Sequence, residues 1–250
     1  MSCVAVAWST VVVSTDVPPS IGSARYDGYA QWYDGWSQSA ASPFMAAAQQ
    51  VLEELAPDGG GLAVDLGCGT GLCAAVAGSD GFHVVGVDVS ADQLRPARSR
   101  LPVVLADARA VPLVSGSARW VYSMLTHTDL DSFDRLVAEG VRLLAPGGSF
   151  VHVGLHPCFV NPVAEPLPDG VRLHPGYRRA GWQPPGPFRS ATGVQHRVGV
   201  HHLPLDRLLT ALIHPDAHID RVVERGGGTV PELLGVRLTR PAVRVPADSW

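Results

Sequence analysis

Residues 64–72 read Val-Asp-Leu-Gly-Cys-Gly-Thr-Gly-Leu, and this stretch decides the fold. An apolar strand runs into a turn with Gly67, Gly69 and Gly71 at every second position, and a helical stretch follows. Glycines in a strand–turn–helix context let the backbone turn sharply and let a ligand lie against it, because they carry no Cβ atom. The spacing differs from the G-x-G-x-x-G of dinucleotide-binding proteins. Asp65 would repel a pyrophosphate but would suit a ligand that carries an ammonium group.

Short apolar strands alternate with helical stretches on both sides of this turn. The predicted strands are residues 62–66, 82–87, 103–105, 120–125 and 150–155. The predicted helices are residues 26–56, 71–78, 91–100 and 130–144. Strands that are apolar throughout and alternate with helices imply a parallel sheet that is covered on both faces. We therefore predict an α/β fold with a doubly wound sheet.

The second half of the chain begins with a different kind of segment. Residues 157–200 hold eight prolines and six glycines and show neither a helical nor a strand period. A structureless insertion of this length is usually functional, such as a lid over a substrate. A helix at residues 205–213 and an antiparallel hairpin at residues 219–238 are predicted to follow. We expect residues 1–20 to be a loose N-terminal tail and residues 21–250 to be a single domain.

Two further carboxylates follow neighbouring strands of the predicted sheet. Asp88 ends the second strand and Asp107 follows the third. An acid at the tip of the strand after the glycine turn can accept hydrogen bonds from both hydroxyls of a ribose. Asp107 could accept one from an exocyclic amine such as N6 of adenine. Ligands of open α/β sheets bind at the strand ends, so the turn and the two acids are predicted to meet around one ligand.

These residues resemble the class I S-adenosylmethionine-dependent methyltransferases, and the resemblance covers residues 26–240. Residues 65–71 are similar to the first motif of that family, Asp88 to its ribose-binding acid and Asp107 to its adenine-contacting acid. The turn at residues 144–148 looks like the family's turn before strand five. The resemblance implies a Rossmann-like seven-stranded sheet of order 3-2-1-4-5-7-6 with strand seven antiparallel. It also implies S-adenosyl-L-methionine as the cofactor.

The resemblance implies a set of cofactor-binding residues on the first helix, the glycine turn and the strand ends. They are Tyr26, Tyr33, Asp65, Gly67, Cys68, Gly69, Gly71, Asp88, Val89, Asp107, Ala108 and Ser123. In the family the first helix lies over the cofactor, although an aromatic face at helical spacing, as at Tyr26 and Tyr33, is also typical of core packing. Residues 154–159 and 197–205 look like a bacterial small-molecule branch of the family.

Histidines are the candidate bases for the methyl transfer that the resemblance implies. The acceptor should lie beyond the ends of strands four and five, under the lid insertion. His127 follows strand four and is the first candidate, since an imidazole has an unperturbed pKa of about 6.5; its alternatives are a cofactor contact or a helix cap. His156 and His202 could take the same role or orient the acceptor. Four aromatic side chains could line an apolar acceptor pocket: Phe159, Tyr177, Trp182 and Phe188.

Composition narrows the classes of partner. The 250 residues carry a net charge of −4, and all 19 basic residues are arginines. The chain therefore has no excess of positive charge to attract a phosphate backbone. The absence of lysine also excludes a Schiff-base lysine and a P-loop lysine. We predict no nucleic-acid partner, and no membrane span because no apolar run approaches about 20 residues. We predict no metal site, because His152 and His156 straddle a strand end without a completing ligand. Four unpaired cysteines indicate a reducing, cytoplasmic setting.

The sequence thus predicts a methyltransferase that transfers a methyl group to a small-molecule acceptor of bacterial secondary metabolism, by in-line displacement. Two other classes stay open: a protein with the same fold and cofactor that catalyses another reaction, such as a cyclisation, and a binding or regulatory protein with an exposed apolar groove. A nicotinamide oxidoreductase disagrees with the turn spacing and with Asp65. The identity of the acceptor, the methylated atom and the oligomeric state are not fixed by a fold.

Overall fold

The computed structural model describes residues 24–79, 81–184, 187–188 and 193–242. The predicted N-terminal tail, residues 1–20, lies outside the described residues. The strands are β1 (Gly61–Leu66), β2 (Phe82–Asp88), β3 (Val103–Leu105), β4 (Ala118–Met124), β5 (Leu144–Leu155), β6 (Ala164–Leu167), β7 (Gly170–Leu173), β8 (Gly181–Gln183), β9 (Val200–His202), β10 (His218–Arg225) and β11 (Leu233–Thr239).

Seven of these strands form the central sheet, in the order β3-β2-β1-β4-β5-β11-β10. The five strands from β3 to β5 in that order pair in parallel. β11 runs antiparallel to both of its neighbours, β5 and β10. The predicted Rossmann-like order 3-2-1-4-5-7-6 with an antiparallel strand seven is therefore confirmed, with β11 and β10 in the places of strands seven and six.

The α-helices are α1 (Ala30–Gln38), α2 (Ser42–Leu55), α3 (Ala74–Ser79), α4 (Ala91–Ala97), α5 (Phe133–Leu143), α6 (Val194–Val198) and α7 (Leu205–Leu212). The predicted helix at residues 26–56 is thus two helices. Pro43 lies in the first turn of α2, where its missing N–H and fixed φ are tolerated. In the interior of one continuous helix, the same proline would break the hydrogen-bond ladder. Among the described helices, none is both long enough and apolar enough to cross a membrane.

The sheet is covered on both faces because alternate side chains of each strand point in opposite directions. On β4, Val121 packs into a cluster with α5 and α7. Its neighbours Trp120 and Tyr122 pack into a second cluster with α2 and α3. All three side chains are fully buried. These two layers hold the carboxyl ends of the parallel strands in fixed positions at one edge of the sheet.

The lid insertion is not structureless, and that prediction is wrong. β6 pairs with β7, β8 pairs with β9, and α6 precedes β9. Strands of three or four residues are too short to show an alternating pattern, so tertiary pairing rather than periodicity forms them. The insertion also contacts the N-terminal segment: the Arg25 guanidinium lies 3.3 Å from the centroid of the Trp182 ring, and that of Arg197 lies 4.2 Å from the Trp32 ring. The insertion and α1 therefore form one cover over the strand ends.

Candidate functional site

A cavity of about 670 Å³ opens where β1, β2, β3 and β4 end. Its wall combines the glycine turn, the acids that follow β2 and β3, and side chains from the N-terminal segment. The volume lies within the range of about 300–1,000 Å³ that is typical of small-molecule sites. We call this space the main cavity.

The glycines of the turn serve different purposes. All three have positive φ, which disfavours any other residue. A Cβ atom on Gly67 would overlap the Thr126 methyl group, and one on Gly71 would lie 2.6 Å from Leu101 Cδ2. A Cβ atom on Gly69 would instead lie 3.7 Å from its nearest neighbour, Gln93 Oε1. Gly67 and Gly71 therefore allow close packing, while Gly69 leaves open space for a ligand in the main cavity.

Asp88 is held in place by the backbone around it. Its Oδ2 accepts a hydrogen bond from the Gly69 N–H at 2.8 Å, and its Oδ1 accepts one from the Ser90 N–H at 2.8 Å. Burial raises the pKa of Asp88, and the backbone N–H groups lower it in part. Each carboxylate oxygen retains a second lone pair. Asp88 can therefore accept hydrogen bonds from the hydroxyl groups of a ligand in the main cavity without reorienting.

Gln93 is a candidate binding residue that the sequence reasoning missed. It lines the main cavity, and its Oε1 and Nε2 are buried without a hydrogen-bond partner among the described residues. Ser90 caps α4 by accepting the Gln93 N–H at 3.1 Å. In a complete capping box the glutamine side chain would bind the Ser90 N–H, but Asp88 already accepts that hydrogen bond. The amide of Gln93 is consequently left for a ligand, and the Ser-x-x-Gln pattern was the available signal.

Comparison with known proteins agrees with this arrangement. A family model described as "Methyltransferase domain" matches residues 64–152. An S-adenosylmethionine-dependent methyltransferase from Mesorhizobium loti is 26% identical, with a TM-score of 0.63 over 78% of this chain and 98% of that one. Residues 64–152 therefore match a methyltransferase domain, and the fold is similar to that of an S-adenosylmethionine-dependent methyltransferase.

Two further comparisons show how far this similarity reaches. A malonyl-(acyl-carrier protein) O-methyltransferase of Enterobacter lignolyticus is 36% identical over 88 residues, which are 34% of this chain and 35% of the relative. The match therefore spans about a third of that curated protein. The cyclase SpnF is 17% identical in sequence, and its structure matches with a TM-score of 0.56 over 78% of this chain and 80% of that one. This likeness shows the fold alone. A shared fold does not fix the reaction.

The cofactor that these similarities imply, S-adenosylmethionine, fits the donors and acceptors of the site. The unpartnered Gln93 amide and the fixed Asp88 carboxylate lie on the wall of the main cavity, where a ribose offers hydroxyl groups. Asp65 lies on a small adjoining chamber of about 40 Å³, together with Cys68 and Tyr33. Burial, and then repulsion from Asp88, raises the pKa of Asp65 to about 8. A ligand ammonium group there would stabilise its carboxylate form.

Asp107 lies on the main cavity, but its carboxylate already has a protein partner. Burial raises the pKa of Asp107, yet the hydrogen bonds from Arg109 outweigh this effect, and the pKa is lowered overall. The Arg109 Nε lies 2.9 Å from Oδ1 and its Nη2 lies 2.7 Å from Oδ2. Asp107 is therefore ionised and oriented by Arg109, and a ligand amine would have to share its oxygens.

A third space adjoins the main cavity beneath the lid insertion. We call it the acceptor chamber; its volume is about 60 Å³. Its wall is largely aromatic and apolar, with contributions from Tyr26, Tyr33, Trp36, Phe44 and Asp129 among others. The walls of all three spaces share Tyr33 and Leu125, so the spaces meet at these two side chains.

Leu125 has a strained backbone at this meeting point. It follows β4 and has φ +63°, the only positive φ of a non-glycine residue in the described part of the chain. A left-handed conformation costs a residue with a Cβ atom roughly 1–2 kcal/mol. Its N–H donates to the Val153 carbonyl at 2.7 Å, and its carbonyl accepts the Thr128 hydroxyl at 3.0 Å. These bonds fix the start of the 3-10 helix Thr126–Asp129 beside the cavities.

The structure brings most of the predicted cofactor-binding residues to these three spaces. The members on their walls are Tyr26, Tyr33, Asp65, Gly67, Cys68, Gly69, Asp88, Val89, Asp107 and Ala108. Gly71 and Ser123 are not on the walls. Gly71 packs against Leu101, and the Ser123 hydroxyl lies 2.9 Å from Nδ1 of the buried His152.

The three predicted histidine bases all lie off these walls. His127 is buried, and its ring centroid lies 5.1 Å from that of His152. Burial lowers the pKa of His127 to about 3. The His156 Nε2 donates to the Glu224 carboxylate at 2.7 Å, and the His202 Nε2 donates to the Tyr177 carbonyl at 2.7 Å. The geometry therefore does not favour any of the three as the base.

The four aromatic residues expected to line an acceptor pocket pack elsewhere, and none lies on the described wall of the acceptor chamber. Phe159 packs against His156 and Phe188 stacks on His174. Tyr177 packs against His202 and accepts the Leu205 N–H through its hydroxyl. Trp182 lies under the Arg25 guanidinium. Residues of α1 and α2 supply the aromatic wall instead, and the helical spacing of Tyr26, Tyr33 and Trp36 was the available signal.

Proposed function

We propose that this chain transfers a methyl group from S-adenosylmethionine to a small-molecule acceptor. The observation that carries the proposal is the meeting of three spaces at Tyr33 and Leu125. The main cavity has the size and polar groups for a nucleoside, and the 40 Å³ chamber has an acid for an ammonium group. The acceptor chamber meets the main cavity at Tyr33 and Leu125 and has a largely apolar wall. This division matches a reaction in which a cofactor and an acceptor approach each other in line.

The residues of the chain have distinct tasks in this proposal. Asp88 and Gln93 would bind the ribose, and Asp107 with Ala108 the adenine. Asp65 would bind the ammonium group of the cofactor's amino-acid end. When bound, the cofactor supplies a methyl group activated by a sulfonium. The cover formed by α1 and the lid insertion would exclude water from the meeting point.

Two features support a small molecule as the acceptor. The acceptor chamber has a volume of only about 60 Å³, and the described part of its wall combines residues of α1, α2 and α6, which favours a small reacting group over a nucleic acid or a protein chain. The net charge of −4 also opposes binding of a nucleic-acid backbone. A cyclisation with the same cofactor remains the second candidate of the sequence analysis. Secondary metabolism, a cytoplasmic location and a histidine base stay predictions.

Calorimetric titration tests the cofactor assignment. We expect S-adenosylmethionine and S-adenosylhomocysteine to bind in the micromolar range and NAD not to bind. Asp88→Ala should weaken S-adenosylhomocysteine binding at least tenfold, because two or more charge-assisted hydrogen bonds to the ribose are lost. Asp58→Ala, which removes an exposed acid far from the cavities, is the matched control and should bind normally. Binding of NAD alone, or an unchanged dissociation constant for Asp88→Ala, would contradict the proposal.

A further inference from the structure

We propose that Asp129 is the base that deprotonates the acceptor, and that the reacting group of the acceptor is an amine. The inference rests on the proposed function, because it names the chemistry of the acceptor chamber of that same site. Four observations carry it: the position of Asp129, the partner of its carboxylate, the composition of the chamber wall, and the placement of the neighbouring His127.

Asp129 lies on the walls of both the main cavity and the acceptor chamber. It ends the 3-10 helix Thr126–Asp129. Side chains at positions i and i+3 of a 3-10 helix lie on the same side. Thr126 and Asp129 accordingly both face the main cavity, whereas His127 points the other way and packs against Phe133 and His152. The helix therefore presents a carboxylate, and not the imidazole, to the reacting groups.

The Tyr26 hydroxyl orients the Asp129 carboxylate. It lies 3.3 Å from each carboxylate oxygen and donates to them. The two residues are 103 positions apart in the chain, so the contact depends on the N-terminal segment lying across the strand ends. One lone pair or more on each oxygen of Asp129 remains available to an acceptor.

Four ionisable groups interact with Asp129: Tyr26, Tyr33, Asp88 and Arg25. Enclosure by protein raises the pKa of Asp129 to about 7, with Asp88 adding to the rise and Tyr26 and Arg25 opposing it. Arg25 does not neutralise Asp129, since its guanidinium stacks on Trp182 and donates to the Val198 carbonyl. A carboxyl group that titrates near neutral pH is suited to accept a proton and to release it again.

The wall of the acceptor chamber favours a cationic amine. Four aromatic residues line the chamber, namely Tyr26, Tyr33, Trp36 and Phe44, and aromatic faces attract ammonium groups. Asp129 is the only charged residue on the described part of this wall, which includes no arginine or histidine. An ammonium group would thus pair with Asp129, whereas a carboxylate would be repelled by it. The carboxylate acceptor named for the Enterobacter relative would be disfavoured in this chain.

The reaction balances with no other reactant. The acceptor ammonium group transfers one proton to a carboxylate oxygen of Asp129, which becomes a neutral carboxylic acid. The nitrogen lone pair that this exposes forms a bond to the methyl carbon as the carbon–sulfur bond breaks, and the sulfur keeps the bonding electrons. The nitrogen becomes a methylated ammonium and the sulfonium becomes a neutral thioether. Asp129 then loses its proton to solvent when the product leaves.

Binding of small probes tests the inference without an identified acceptor. We would titrate the protein saturated with S-adenosylhomocysteine with butylamine, butanol and butyrate at pH 8 and follow binding by NMR. The three probes have a similar small size, which suits a chamber of about 60 Å³, and they differ in the charge of one end. Butylamine should bind at least tenfold more tightly than butanol, and butyrate most weakly.

Asp129→Asn should abolish the preference for butylamine while S-adenosylhomocysteine binding stays within about twofold of normal. Asp134→Asn is the matched control, because it makes the same change at an exposed acid five residues away and should leave the preference intact. Tyr26→Phe supplies a second variant: it removes the hydrogen bond that lowers the pKa of Asp129. The pH at which butylamine begins to bind should therefore move to a higher value.

The outcomes separate this inference from the proposed function. If S-adenosylhomocysteine does not bind the wild-type protein, both are overturned. If it binds, but butyrate or butanol binds as tightly as butylamine, or none of the three binds, only the inference is overturned. An unchanged probe preference in Asp129→Asn, with its cofactor binding intact, would also overturn the inference alone.

Discussion

The cofactor side and the acceptor side of the strand ends are built in different ways. On the cofactor side, Asp88 is fixed by backbone N–H groups of Gly69 and Ser90, which lie within twenty residues of it. On the acceptor side, Asp129 is oriented by Tyr26, which lies 103 positions away, and the walls come from α1, α2 and the lid insertion. The first is a local design that a motif can specify. The second exists only when distant segments pack together.

The largest expected effect is a pH dependence of stability that originates on the cofactor side. The pKa of Asp65 is raised from its usual value of about 4 to about 8 by burial. The folded state therefore binds a proton that the unfolded state has released, so this contribution to stability is fully present below about pH 4 and is lost as pH rises through about 8. The loss would reach up to about 5 kcal/mol at 1.4 kcal/mol per pKa unit.

Chemical denaturation of the wild type and of Asp65→Asn at several pH values measures this effect. The free energy of unfolding of the variant should fall much less between pH 4 and pH 8 than that of the wild type. The variant should be the more stable protein at pH 9. Asp58→Asn, at an exposed acid, should follow the wild-type curve. If the free energies of unfolding of the wild type and Asp65→Asn change with pH in parallel, Asp65 is not the source of the pH dependence.

A second prediction separates packing from backbone conformation in the glycine turn. Gly67→Ala should lower the free energy of unfolding by about 2–4 kcal/mol, because it combines a positive φ with an overlap on the Thr126 methyl group. Gly28→Ala is the matched control: Gly28 has φ +85° and no atom within 4 Å of a Cβ position, so only the conformational cost of roughly 1–2 kcal/mol applies. Equal losses in denaturant titrations would contradict the role given to the overlap.

The smallest expected effect lies on the acceptor side. Arg197→Gln removes the cation–π contact between the lid insertion and Trp32, which is worth about 0.5–1 kcal/mol at an exposed site. Amide hydrogen exchange in α6 and α1 should become a few times faster, while exchange in β1 and β4 stays unchanged. Arg207→Gln, at an exposed position of α7, is the control. Faster exchange throughout the sheet would show that the contact supports the whole domain rather than the cover.

The same contrast explains what could be predicted from the sequence. The alternation of strands and helices, the glycine turn, Asp88 and Asp107 follow from local patterns, since strand ends of a parallel sheet meet at one edge. The strand order was instead implied by the resemblance to a known family. Gln93 was missed because its side chain looks like half of a capping box, and only the bond from Ser90 to Asp88 frees it. His127 was predicted as the base because an imidazole has an unperturbed pKa near neutral pH, and Asp129 was not considered. The burial of His127 and the 3-10 register that places Asp129 on the cavity walls cannot be inferred from residue types alone.

A crystal structure with bound S-adenosylhomocysteine would test the central claim most directly. We expect the adenosine to lie in the main cavity, with its ribose bound by Asp88 and Gln93. The ammonium group should lie beside Asp65, and the sulfur should lie where the spaces meet, at Tyr33 and Leu125. The acceptor chamber, with Asp129 on its wall, should stay free of the ligand. A ligand that fills the acceptor chamber, or whose sulfur points away from Tyr33 and Leu125, would contradict the division into a cofactor side and an acceptor side.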